Sequence, residues 1–260
     1  MTGFFSALLF RLCIGHILAD FFLQKRSWVD ERRLKRGLRS GALWKHSALH
    51  ALFSGIACLG STDPRGMAAV ALAVLASHAV IDVLKSAANA RAEATNGPAW
   101  LIFAADQALH FGVLVACAVA VSGGRSAEPL FGRAVLLVTD PRAGAVLFAY
   151  LLLSRPAGFF IGELTRAWRE QLRSEDIHGL ENAGLWIGIL ERWLLLTFLL
   201  LGNPGAVGFL IAAKSVFRFG SLTGSGELRK TEYILIGTMA SVLFSLIVWI
   251  GLNGVLRRLP

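Results

Sequence analysis

Charge is scarce in this sequence, and the scarcity excludes much. Charged residues make up 17% of the 260 and hydrophobic ones 55%, with a mean hydropathy of +0.60. An ordinary soluble domain is about 45–50% apolar and about 25% charged. The surplus of apolar side chains has to face lipid, so a soluble globule is excluded. Cysteine is also rare: Cys13, Cys58 and Cys117 are the only three, each in an apolar stretch with no C-x-x-C spacing. A disulfide framework and a zinc knuckle are both excluded, and the three read as small buried residues. No nucleophile motif of the G-x-S-x-G type occurs. The first apolar run lacks the basic start and small-residue cleavage pattern of a signal peptide, and it contains Arg11, His16 and Asp20. It is expected to stay in the mature protein.

What is present is a series of long apolar runs. About 20 largely uncharged residues cross a hydrocarbon core of roughly 30 Å, and backbone groups in lipid must be satisfied within the segment. Runs near 4–23, 41–60, 67–85, 99–122, 143–162, 184–202, 205–219 and 232–254 meet that description. The expectation is an all-α, polytopic transmembrane helix bundle of about eight helices. Residues 1–122 read as one four-helix bundle, 123–142 as a non-cytoplasmic connection and 143–260 as a second four-helix unit. The apolar piece Ala134–Thr139 is too short to cross and reads as re-entrant or interfacial.

The net charge of +9 could suggest nucleic acid, but its placement argues against that. Lys25, Arg26, Arg32, Arg33, Lys35, Arg36 and Arg39 crowd one short loop, as the positive-inside rule expects of a cytoplasmic connection. Arg91, Arg166, Arg169, Arg173, Arg218, Arg229 and Lys230 fall on the same side, whereas Arg257 and Arg258 fall opposite, leaving the last span the least secure. A multi-pass protein of the bacterial inner membrane follows, with membrane lipids rather than nucleic acid as its partners and an oligomeric state that the sequence leaves open.

The chemistry lies in four pairs: His16-x3-Asp20, His46-x3-His50, His78-x3-Asp82 and Asp106-x3-His110. On a helix, i,i+4 spacing puts two side chains on one face with about 5–6 Å between Cβ atoms, close enough to reach one ion. Alternating helix direction brings all four pairs to the same leaflet, the pattern by which helix bundles build histidine and carboxylate metal sites. One such pair is explained by hydrogen bonding between helices. Four at matching depth favour a site, because ionisable groups in a membrane are costly and mark function. The expected ligands of a divalent metal, zinc first with iron or manganese as alternatives, are His16, Asp20, His46, His50, His78, Asp82, Asp106 and His110. Eight candidates exceed the ligands of one zinc, so either two ions bind or some residues orient the others.

Gln24, Lys45 and Lys85 border the cluster. Either lysine could receive a phosphate or carboxylate group of a substrate, the plainer reading being a snorkelling side chain. The second half carries Glu191, Arg192, Lys214, Arg218 and Glu232. Pairing of Glu191 or Glu232 with Lys214 or Arg218 is expected there, the alternative being an anion or lipid-headgroup pocket built on Lys214 and Arg218. Gly184, Gly188, Gly208 and Gly220 would permit close helix approach. His178 stands alone in a polar loop and reads as a surface residue.

The run Gly15–Gln24, with Lys45-His46, the stretch His78–Lys85 and Asp106-Gln107-x2-His110, resembles an uncharacterised family of bacterial inner-membrane proteins classed as a domain of unknown function. The later runs Gly208–Ser215, Arg218–Gly220 and Glu232–Thr238 resemble the C-terminal part of its longer members. A weaker likeness is to membrane-bound metal-dependent hydrolases, whose spacing differs, so no catalytic residue transfers. The expected function is a metal-dependent hydrolase acting near the cytoplasmic face on a lipid-linked or phosphorylated substrate, with Asp20, Asp82 and Asp106 as ligands or bases. The alternatives are a divalent-metal transporter or sensor, and a non-catalytic membrane scaffold.

Overall fold

The computed structural model describes residues 2–34, 37–95, 99–122, 140–172, 183–219 and 227–259. Ala134–Thr139, His178 and Arg173 lie outside the described residues, as does the side chain of Arg218. Helices account for the described chain, with no strand among the described residues. It divides into two compact units, residues 1–148 with 256–260, and 149–255.

In the first unit, α1 (Thr2–Ile17) runs directly into a π-helical turn, Leu18–Leu23. The short polar helix α2 (Arg26–Leu34) follows. Then come α3 (Gly41–Ala57), α4 (Pro64–Thr95) and α5 (Ala99–Ser122). The four longer helices pack as a bundle in which α3 and α5 each touch both α1 and α4. Local chemistry sets the boundaries. Ser40 Oγ accepts from the Leu43 N–H at 3.3 Å, and Glu31 of α2 accepts from the Ala42 N–H at 3.4 Å. Both satisfy otherwise orphaned donors at the start of α3. After α3 the chain turns at Gly60, whose φ of +69° suits a residue without Cβ.

One end of this bundle is apolar. Leu8, Leu12, Cys13, Ala57, Cys58, Val70, Val74, Leu114, Cys117 and Ala118 form a buried cluster with contributions from all four helices or their immediate ends. The three cysteines are reduced and buried there, as expected. Arg11, beside this cluster, donates to the Leu59 carbonyl at 3.2 Å and to Ser61 Oγ. A cation at the carbonyl end of α3 complements that helix dipole, so its role is structural.

The second unit contains the end of α6 (Pro141–Leu152), then α7 (Arg155–Leu164), the single turn α8 (Arg166–Arg169), α9 (Ala183–Leu200), α10 (Pro204–Phe219) and most of α11 (Glu227–Leu256). The step from α9 to α10 is a Schellman turn: Asn203 N–H donates to the Phe198 carbonyl at 2.9 Å, Gly202 N–H to Leu199 at 3.1 Å, and Gly202 has φ +68°.

Among the described residues five helices are long and apolar enough to cross a membrane, at Phe4–Leu23, Pro64–Ala92, Ala99–Ser122, Ala183–Leu200 and Arg229–Leu256. A sixth is added if α6 and α7, bent by 40°, form one broken span. Two more of the eight expected runs are also helical. Helices occupy the runs near 41–60 and 205–219, but α3 has 17 residues and α10 has 16. At 1.5 Å per residue the 17 residues of α3 span about 26 Å, a little under a hydrocarbon core of roughly 30 Å. α3 is cut short by its turn at Gly60, and α10 begins only at Pro204.

Candidate metal centre

Opposite the apolar end, the four i,i+4 pairs meet inside the first unit. α3 supplies His46 and His50, α4 supplies His78 and Asp82, α5 supplies Asp106 and His110, and α1 supplies His16. Asp20 stands in the π-helical turn. Such turns are uncommon insertions frequently found at functional sites. His46, His50, His78, Asp82, Asp106 and His110 are all at most 4% exposed.

Asp20 is the centre of the arrangement. Its Oδ1 lies 3.0 Å from His46 Nε2, 3.0 Å from His50 Nε2 and 3.9 Å from His78 Nε2. Its Oδ2 lies 3.5 Å from His16 Nε2 and accepts from Gln107 Nε2 at 3.3 Å. The imidazoles crowd one another: His50 stacks on His78 with ring centroids 3.7 Å apart, and His78 on His110 at 4.2 Å. His16 is 4.9 Å from His50 and 5.0 Å from His110 by the same measure.

Three overlapping sets have ligand atoms mutually within 4.8 Å: Asp20, His46, His50 and His78; His16, His78 and His110; and Asp82, Asp106 and His110. His78 and His110 each belong to two sets. All eight expected ligands are thus brought together. The first set supplies three nitrogens and one oxygen, which suits tetrahedral zinc.

The hydrogen-bond inventory is incomplete in a telling way. His16 Nε2, His78 Nε2, His110 Nε2 and Asp106 Oδ1 are buried without a hydrogen-bond partner. Asp106 Oδ1 and His110 Nε2 approach to 3.4 Å but without hydrogen-bond alignment. Leaving a buried polar atom unmatched costs about 1–3 kcal/mol, and here the unmatched atoms are of the ligating type and share the overlapping sets.

Cations rim the carboxylates. Lys85 Nζ is 2.6 Å from Asp106 Oδ2, and Arg32 of α2 forms an ion pair with Asp82. Gln24 Nε2 lies 3.0 Å from His46 Nε2, and Trp28 of α2 sets its ring 6.5 Å from that of His46. Arg32 was not singled out from the basic loop, and Gln107 only as part of a motif. The other proposed substrate contact, Lys45, is exposed on α3.

In the second unit, Glu191 pairs with Lys214. Glu232 is exposed on α11 and makes no ion pair among the described residues, while its pairing with Arg218 lies outside them. Arg192 has a role that its neighbour Glu191 obscures. Its Nε donates to the Leu153 carbonyl at 2.6 Å and its Nη2 to the Ser154 carbonyl at 3.0 Å, across the break between α6 and α7. Its Nη1 donates to Ser241 Oγ at 3.3 Å. Gly188 lies so close that an added Cβ would stand 3.0 Å from Nη1, so glycine makes room for the guanidinium.

Fold and site together define an all-helical membrane protein with a buried His/Asp cluster at one end of a four-helix bundle. Residues 8–135 match the family DUF3307, described as a protein of unknown function, and the matched segment carries every candidate ligand. The match stops short of the Gly208–Ser215 run. No curated protein and no solved structure matches the chain, so the weaker hydrolase likeness gains no support from relatives.

Proposed function

We propose that the first unit binds a divalent metal, zinc first, and uses it to hydrolyse a lipid-linked or phosphorylated substrate at the cytoplasmic face of the bacterial inner membrane. The observation that carries this reading is the convergence of five imidazoles and three carboxylates, with unpaired nitrogens, on overlapping ligand sets. Three of Asp20, His46, His50 and His78 would hold the first ion and leave its fourth position to water; His16, His110, Asp82 and Asp106 would complete a second position or orient the first. A bound ion would supply a water of pKa about 7 and a Lewis acid for the scissile group. An oxygen of Asp82 or Asp106 left free of metal would take one proton from that water and return it to the leaving oxygen as its bond to the scissile centre breaks.

Transport is disfavoured by the buried apolar cluster that fills the other end of the same bundle. A carrier needs polar access from both sides. The direct test is elemental analysis of protein purified without a chelating tag, followed by hydrolysis assays on phosphate esters. Metal near stoichiometric with the chain, together with turnover that chelator abolishes, is expected. Protein without metal contradicts the metal centre and supports a scaffold, whereas metal with vesicle uptake and no turnover supports a carrier.

A further inference from the structure

We infer that Arg32 and Lys85 form a clamp for a phosphoryl group, held closed by Asp82 and Asp106 and released when those carboxylates take a metal ion. The inference rests on the metal reading above and names the chemical class of its substrate.

Each cation is bound to a carboxylate that belongs to a candidate ligand set. Lys85 Nζ sits 2.6 Å from Asp106 Oδ2, and Arg32 pairs with Asp82, while Asp82, Asp106 and His110 present ligand atoms within 4.8 Å of one another. An ion drawn into that set competes with both ammonium and guanidinium for the charge of the same two carboxylates. The displaced cations remain tethered beside it, Lys85 one helical turn from Asp82 on α4 and Arg32 on α2.

Charge sets what they would then hold. With neutral imidazoles, as metal ligation requires, three aspartates against two cations leave the site with one net negative charge. One divalent ion turns this into one net positive charge, and a second adds two more. Uncompensated charge in a low-dielectric interior is costly, so the loaded site calls for an anion. A phosphoryl group suits the donors: a guanidinium offers paired N–H groups matched to two phosphate oxygens, an ammonium serves as a point charge, and the metal takes a further oxygen.

The position of Arg32 is built rather than incidental. α2 is tied to the start of α3 through Glu31, and Trp28 lies over His46. The Arg32 and Asp82 side chains are 13% and 5% exposed, so the guanidinium is drawn into the site from a helix that is otherwise polar. Leu84, next to Lys85 in the chain, and Phe22 and Leu23, in the turn that carries Asp20, expose apolar surface of the kind an acyl or prenyl chain contacts. The phosphoryl group could therefore arrive on a lipid or as a soluble ester, and the experiment separates the two.

Full-length protein in detergent micelles, stripped and reloaded with zinc, is titrated with inorganic phosphate and followed by thermal melting. Phosphate is expected to raise the melting point of the zinc-loaded protein and to have little effect on the stripped protein. Arg32→Ala and Lys85→Ala should each weaken the phosphate response by roughly tenfold or more, the scale of a charge-assisted hydrogen bond, while keeping zinc content. Arg32→Lys should recover part of it, which excludes misfolding as the cause. A second arm uses neutral-lipid vesicles with or without phosphatidic acid. A response to phosphatidic acid assigns the lipid source, and a response to free phosphate alone assigns a soluble ester; either supports the clamp. Zinc bound with no phosphate response, or with a response unchanged in both alanine variants, overturns the clamp and leaves the metal centre standing. Failure of the parent protein to take up zinc overturns both.

Discussion

The same four helices build two unlike ends. At one, α1, α3, α4 and α5 bury leucine, valine, alanine and cysteine with no charged group in the cluster. At the other, one to two turns along the helices, they gather five histidines and three aspartates, His16 and Asp20 partly exposed and the rest buried. The apolar cluster is held by its own packing. The polar end has buried ligand-type nitrogens and an oxygen without a hydrogen-bond partner among the described residues. The difference shows why polarity at this depth is informative: the fold can close this bundle with aliphatic residues, and does so at one end.

Removing a ligand should break the contrast most strongly. His78→Ala takes away a residue shared by two ligand sets. Metal affinity should fall by at least roughly 100-fold, since losing even an outer partner of a ligand costs 10–100-fold. Insertion should persist because alanine favours helix; metal analysis of membrane-extracted protein checks both. At the apolar end, Leu12→Ala empties a site that is 1% exposed. It should cost about 2–5 kcal/mol in stability while metal content stays at the parent level, as read by melting and elemental analysis of the same sample.

A smaller effect is expected in the second unit. Arg192→Met removes the donors that satisfy the Leu153 and Ser154 carbonyls. The cost should be about 1–3 kcal/mol, measurable by thermal melting, with metal content unaltered. The smallest belongs to Cys117→Ala. Cys117 lies in the apolar cluster and in no ligand set, so metal content should match the parent and melting should drop only slightly.

Much of this contrast was legible in the chain, for a physical reason. A period of 3.6 residues places i,i+4 pairs on one face whatever the tertiary context, so His46/His50 and Asp106/His110 announced themselves, and alternating helix direction set their common depth. The π-helical turn at Leu18–Leu23 was not legible, because nothing in an apolar run reveals a change from i,i+4 to i,i+5 bonding. Arg32 was hidden because its partner is 50 residues away and its loop is dense with other cations. Arg192 binds carbonyls, which carry no residue signature, so the sequence offered it no partner. The limits of α3 depended on a turn whose position a run of apolar residues does not mark.

The most direct test of the metal centre is melting with and without chelator. A ligand that binds only the folded state stabilises it by about 4 kcal/mol at a thousandfold excess over its Kd. The parent protein should therefore lose several degrees when metal is stripped and recover them on zinc addition, while His78→Ala responds to neither. Identical melting of the parent before and after confirmed metal removal would contradict the account.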